Sequence, residues 1–210
     1  MLPPPAQTPY QERVIRASHY RQLATWLLSL ASILGAPHLQ AAAPDQELGR
    51  PFLQNFPLRE YHAHNQNWAA VQDAQGVMYF GNKAVVLEYD GVSWRKIQIG
   101  QTTYVRGLAL EPASGKIFVG GVDELGYLDM GADGEKVFVS LAPQLPPDAR
   151  GFRDIRRVYA TPEGIVFVAD QQVMRWRDGR FETWKLPNSS RLQSFLVADR
   201  LLVQHRDFGL

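Results

Sequence analysis

The sequence predicts an all-β fold, a β-propeller of four-stranded antiparallel blades, with about three and a half blades present and the ring incomplete. Three observations lead there. Asp-Gly pairs recur at Asp90-Gly91, Asp133-Gly134 and Asp178-Gly179, 43 and 45 residues apart, each between two β-rich runs. Such a pair favours a tight type I′ hairpin in which both central residues take positive φ. An earlier Gly-containing turn recurs in phase, at 74–76, 114–115 and 163–164, and the run after each is almost wholly apolar. A strand covered on both faces by neighbouring sheets has that composition.

Laid out on those turns, the elements repeat in one order. In the first unit, residues 67–73 (NWAAVQD) turn into 77–82 (VMYFGN), then 85–89, then 93–99 (SWRKIQI). In the second, 105–111 (VRGLALE) turn into 116–120 (KIFVG), then 125–129 (LGYLD), then 135–141. The third reads 155–160, 165–170 (IVFVAD), 173–177 (VMRWR) and 180–186 (RFETWKL), and a fourth begins with 192–198 and 201–205. The fourth strand of a unit mixes the two kinds, Arg180, Glu182 and Lys185 with Phe181 and Trp184, as an outer, half-solvated strand requires. The expected blades are therefore residues 61–100, 101–142, 150–187 and an incomplete 188–210, after a lead-in of 44–60. A ring typically needs about four to eight blades, so the span 61–210 does not close one. It is expected to belong to a longer protein or to need a partner.

Residues 1–43 differ in kind. Arg13, Arg16 and Arg21 precede the apolar run 23–34 (LATWLLSLASIL), which leads to Gly35-Ala36-Pro37 and Ala41-Ala42-Ala43. A basic segment, a short apolar helix and small residues are the order of a secretory signal peptide, here expected to be cleaved near Ala43, giving an exported, periplasmic protein. The run is too short for the roughly 20 residues that span a bilayer.

Composition narrows the chemistry. Lys and Arg number 22 against 21 Asp and Glu, which leaves no basic face for nucleic acid. The absence of cysteine removes disulfides, thiolate metal sites and a cysteine nucleophile together. Each motif fails on context. His205-Arg206-Asp207 followed by Phe208-Gly209 superposes two kinase signatures that a kinase keeps apart. Ser114-Gly115-Lys116 is a phosphate-loop ending without the first glycine or the helix that must follow. Asp129, Asp133 and Gly134 recur as in a calcium loop, but Gly131 takes a ligand position and Ser140 stands where the closing Glu belongs. His62 and His64 share a side if their segment is a strand, yet lack a third ligand nearby. Asn188-Ser189-Ser190 is a glycosylation acceptor only on a eukaryotic secretory route. No catalytic residue, metal site or cofactor is expected.

The stretches 51–56 (PFLQNF), 61–68 (YHAHNQNW), 76–82 (GVMYFGN) and 86–94 (VLEYDGVSW) resemble the opening of the two-component regulator propellers, periplasmic sensor regions of bacterial histidine kinases and related signalling proteins. The resemblance is strongest over about residues 50–100 and stays in register through Leu186. It implies a seven-bladed ring followed by an immunoglobulin-like domain, a transmembrane helix and an output module, none of which this sequence contains, and a homodimer in the full-length receptor. The expected function is an extracytoplasmic ligand-sensing region, not an enzyme. An exported propeller enzyme acting on polysaccharide, or a non-functional truncated remnant, are the alternatives.

In a propeller the connections into each inner strand and those joining strands two and three meet at one mouth of the central channel. Here they contribute His64, Asn65, Asn82, Lys83, Tyr104, Asp123, Glu124, Arg153 and Gln171, a set suited to a small polar ligand or a glycan. Asp123 and Glu124 are adjacent on the chain and, if extended, would point to opposite faces, which makes them a poor carboxylate pair for hydrolysis.

Overall fold

The apolar second strands of the repeat serve two interfaces at once, and this sets the architecture. The computed structural model describes residues 53–186 and 192–204. After helix α1 (Leu58–Tyr61) come β1 (Ala69–Gln72), β2 (Met78–Gly81), β3 (Val85–Tyr89) and β4 (Trp94–Gln98), which form one antiparallel sheet in chain order. A second consists of β5 (Val105–Leu110), β6 (Ile117–Gly121), β7 (Leu125–Met130) and β8 (Lys136–Ser140). A third consists of β9 (Ile155–Thr161), β10 (Gly164–Ala169), β11 (Gln172–Arg177) and β12 (Arg180–Lys185). The hairpin of β13 (Gln193–Val197) and β14 (Arg200–Gln204) begins a fourth. The described residues are thus an incomplete propeller. The predicted boundary between lead-in and first blade falls inside α1, because Arg59, Glu60 and Tyr61 close one helical turn before the chain enters β1.

Pleating explains the stacking. Successive side chains of a strand point to opposite faces. From β6, Ile117 and Val119 enter the core shared with the first blade, beside Tyr79, Val86 and Ile97. Phe118 points the other way, into the core shared with the third blade, beside Ile165, Phe167 and Met174. From β10, Ile165, Phe167 and Ala169 join that same core, while Val166 and Val168 pack toward the β13–β14 hairpin with Val173 and Leu192. An unbroken apolar run is therefore two alternating half-runs.

The blades meet most closely at their inner strands, where β5 lies against β1 and β2 on one side and β9 on the other. Glycine makes the second approach possible. A Cβ on Gly107 would stand 2.7 Å from Val158 Cγ2, and one on Gly120 would stand 2.4 Å from Ile155 Cγ2. At the rim the blades are joined by polar contacts: Arg95 of β4 pairs with Glu88 at 3.0 Å and reaches across to Glu135 at 3.1 Å.

The Asp-Gly turns are not all of the type predicted. Only Asp178-Gly179 is a two-residue turn with both φ positive, 50° and 75°, between paired Arg177 and Arg180. In the other two, only Gly91 and Gly134 have positive φ, and the loops are longer, since Tyr89 pairs with Trp94 and Met130 with Lys136. The reason is the carboxylate. Asp90 Oδ1 accepts from Val92 N at 2.8 Å and Ser93 N at 2.7 Å, and Asp133 Oδ1 accepts from Glu135 N at 3.0 Å. Closing the loop through the side chain leaves the aspartate backbone in its ordinary region.

The lead-in covers the outer face of the first blade. Phe56 meets Tyr89 and Trp94 edge to face at 5.0 and 5.2 Å, Tyr61 lies 5.4 Å from Trp94, and Tyr89 stacks on Trp94 at 4.5 Å. On the inner face of the same blade, buried Tyr79 donates to Asp73 Oδ2 at 3.1 Å. Burial, helped by the charges of Glu88 and Asp73, holds its phenol proton far above the usual tyrosine range. The folded state thus keeps a proton that the unfolded chain releases above about pH 10, so this contribution is full below that pH and is lost as pH rises through it. Tyr79→Phe is expected to flatten the alkaline fall in stability, read as the difference in urea midpoint between neutral pH and pH above 10. An unchanged fall would remove Tyr79 as its source.

Residues 1–52, 187–191 and 205–210 lie outside the described set. The signal segment, most of the lead-in, the Asn188 acceptor, the 205–209 motif and the end of the fourth unit fall there.

Candidate functional site

Two inner strands carry the same irregularity at the same place. Between β5 and β6 the pairing jumps from Val105–Gly121 to Gly107–Gly120, which leaves Arg106 without a partner residue. Between β9 and β10 it jumps from Ile155–Ala169 to Arg157–Val168, which leaves Arg156 in the equivalent position. A bulge adds one residue and re-aims its side chain. Here both arginines turn to one carboxylate: Arg106 Nε and Arg156 Nη2 lie 3.0 and 3.2 Å from Asp154 Oδ2. Arg156 Nε also donates to Asp170 Oδ1 at 3.1 Å. Asp154 Oδ1 is buried and has no hydrogen-bond partner among the described residues.

Toward the first blade the row continues through aromatic rings. The Arg106 guanidinium sits 5.1 Å from the Tyr104 ring centroid and 5.2 Å from that of Trp68. Trp68 meets Tyr104 edge to face at 4.9 Å and stacks with His64 at 6.1 Å. One polar row therefore links the inner-strand entrances of all three blades.

Toward the third blade the mouth opens into a cleft of about 650 Å³, lined by Asp148, Arg150 to Arg153, Arg156, Asp170, Gln171, Gln172 and Lys185. Its floor is fixed. Ala149 and Phe152 are buried in the core between the second and third blades, and Gln172 Nε2 donates to Ala149 O at 2.8 Å. Asp123 N donates to Arg153 O at 2.8 Å, and Arg153 N donates back to Asp123 Oδ1 at 3.1 Å.

The residues expected at the mouth divide into three groups. Arg153 and Gln171 line the cleft. His64 and Tyr104 belong to the aromatic row, while Asn65 and Lys83 are exposed beside it. Asn82 and Glu124 are turned inward. The Asn82 side chain is fully buried, and Glu124 accepts from Ser140 Oγ at 2.6 Å and crowds Gly100. Asp123 is not extended; its φ is 54°, and its N–H reaches Arg153 O. His62 and His64 do not share a strand face either. His62 caps α1 with φ 48°, and His64 lies in the following loop, where its Nδ1 accepts from Gln66 N at 3.2 Å. Among the described residues no group of three or more His, Asp or Glu is placed to hold a metal ion. Ser114-Gly115-Lys116 is the turn into β6, with Gly115 at φ 69°, and Asp129 pairs with Lys116 at 2.9 Å.

Arg106, Asp154 and Arg156 escaped the sequence reading. Laying VRGLALE over IRRVYA places both arginines second in their inner strands, which is the signal that finds them.

No family model and no curated protein matches the chain. Among solved structures it is similar to the WD40 β-propeller domain of Doa1, with a TM-score of 0.47 and 11% identity over 69% of this chain and 53% of that one. It is also similar to the extracellular domain of a hybrid two-component system from B. thetaiotaomicron, with a TM-score of 0.37 and 14% identity over 69% of this chain and 27% of that one. The chain thus spans about half the length of the first and about a quarter of the second. The propeller assignment rests on the sheets, registers and alternating interfaces described above.

Proposed function

We propose that this chain is the amino-terminal part of an exported, ligand-sensing propeller of a bacterial two-component-type receptor, and that its ligand sits in the cleft beside Arg153 and Gln171. The observation that carries the binding reading is the cleft, whose floor is held by buried Ala149 and Phe152 before any ligand arrives. A preformed concavity with a few converging polar groups is the usual form of a small-molecule site. Export is supported by the order of residues 1–43, and the sensor role by the resemblance of residues 51–94 to two-component regulator propellers.

The role is binding rather than catalysis. Both carboxylates of the cleft are engaged by cations, Asp170 by Arg156 at 3.1 Å and Asp148 by Lys185 at 3.3 Å. A general acid and base pair needs carboxyl groups able to exchange protons with substrate.

Calorimetric titration of the full chain with a panel of monosaccharides, sugar acids and organic acids is expected to find at least one saturable ligand, lost in Gln171→Ala combined with Arg153→Ala. Cell fractionation is expected to place the chain in the periplasm shortened by about 43 residues. A panel without a binder, or binding untouched by the double variant, would overturn the reading.

A further inference from the structure

The charges of the cleft do not cancel within the cleft. Four cations line it, Arg150, Arg153, Arg156 and Lys185, against the carboxylates Asp148 and Asp170. Arg156 is shared between Asp154 and Asp170, and Lys185 is taken by Asp148. Among the described residues Arg150 and Arg153 have no carboxylate partner for their guanidinium groups. Arg150 donates to two carbonyl oxygens, Leu145 O and Pro143 O, both at 3.3 Å. Those bonds orient its plane and leave its charge unneutralised.

Arg153 adds a second, independent observation. Its φ is 62°, in the left-handed region, where a long side chain costs about 1 kcal/mol or more relative to glycine. Its backbone carbonyl and N–H make the two bonds to Asp123, and any residue, glycine most easily, could make them. The fold therefore accounts for the backbone at this position and not for the guanidinium, which stands exposed on the cleft wall.

We propose that the cleft takes a small ligand bearing an anionic group, a carboxylate or a sulfate ester, held by Arg150 and Arg153. The inference rests on the cleft being the ligand site. Guanidinium presents paired N–H donors that match two oxygens of such a group, and charge-assisted bonds of this kind are about twice as strong as neutral ones. Exposed Gln171, on the same wall, is free to bond a neighbouring hydroxyl.

The test uses one sugar ring with three substituents. D-glucose, D-glucuronate and D-glucose 6-sulfate are titrated into the ¹⁵N-labelled full chain at constant ionic strength, with the arginine Nε–H signals as readout. Saturable movement of the Arg150 and Arg153 signals by glucuronate, by the sulfate ester or by both, and none by glucose, is the expected result, and the two anions tell carboxylate from sulfate preference. Arg150→Gln and Arg153→Gly, the second of which relieves the strained backbone and so preserves the fold, are expected to weaken anion binding about tenfold or more. Arg180→Gln, outside the cleft, is expected to leave it unchanged. Equal binding of all three sugars with the Gln171 amide shifting would keep the cleft as the ligand site and overturn the anion assignment. No saturable shift with any sugar, or equal linear shifts at Arg177, Arg180 and the cleft arginines, would overturn the anion assignment too, and the first would count against the cleft itself.

Discussion

Phe118→Ala is expected to lower the unfolding free energy by about 3–5 kcal/mol, enough to consume much of the stability of a small domain. The side chain has no exposed surface, so the whole transfer term is lost. Its ring centroid lies 5.7 Å from that of Tyr127 in its own blade and 5.6 and 6.4 Å from those of Trp176 and Phe167 in the third, so it is a central part of the core that joins the two blades. The neighbours cannot collapse into the gap, because the backbones on either side are already at closest approach across Gly107 and Gly120. Urea denaturation followed by tryptophan fluorescence should show the midpoint shift, with Trp176 reporting the loosened interface. Phe118→Leu, which keeps most of the volume, is expected to cost clearly less. Equal losses for the two would mean that packing at this interface is not what holds the blades together.

Asn82→Ala is expected to cost about 2–4 kcal/mol, through hydrogen bonds rather than packing. Asn82 Oδ1 accepts from His64 N at 3.1 Å and Lys83 N at 2.7 Å. Its Nδ2, with two hydrogens to give, lies 2.7 Å from His64 O, 2.6 Å from Asn67 Oδ1 and 3.2 Å from Gln66 O, so that one hydrogen is shared. One buried amide thus fixes the path of residues 64–67 and presents Trp68 to Tyr104. Water can re-solvate some of the exposed partners, which keeps the figure below the sum of the separate bonds. Asn82→Asp keeps the shape but turns a carboxylate toward three oxygen atoms, and is expected to do at least as much damage. Amide exchange over residues 64–68 should accelerate in both variants. Stability within about 0.5 kcal/mol of the parent in both would refute the role.

The blades were legible because their signal is periodic. The unbroken apolar runs 116–120 and 165–170 and the phase of the glycine turns are both visible in one sequence, and the strand limits fall within a few residues of those expected. The mouth was legible as a location, since it follows from strand order alone. The roles of its residues were not. Asn82 and Gln171 are both polar loop residues, and only the packing of the 62–68 segment buries the first and leaves the second open. The bulges were hidden because register is a relation between two strands, while composition describes one. The Asp-Gly turns misled for a related reason: φ follows from whether the carboxylate closes the loop, which depends on the loop's length as well as on the pair.

The aromatic cover that Phe56 and Tyr61 lay over the first blade gives the stack a direction. Blades that touch only their neighbours behave like a one-dimensional chain of coupled units, in which thermal opening starts at whichever terminus is least tied down. Rings seal one face of the first blade, whereas on the β13–β14 hairpin Phe195 and Val197 are more than half exposed. Among the described residues, local opening is therefore expected to be rarest in the first blade and commonest in β13 and β14. The cleft lies on the third blade, one interface from that hairpin. A ligand held there, as proposed, would quiet the less covered part of the described stack rather than the part that its rings already hold.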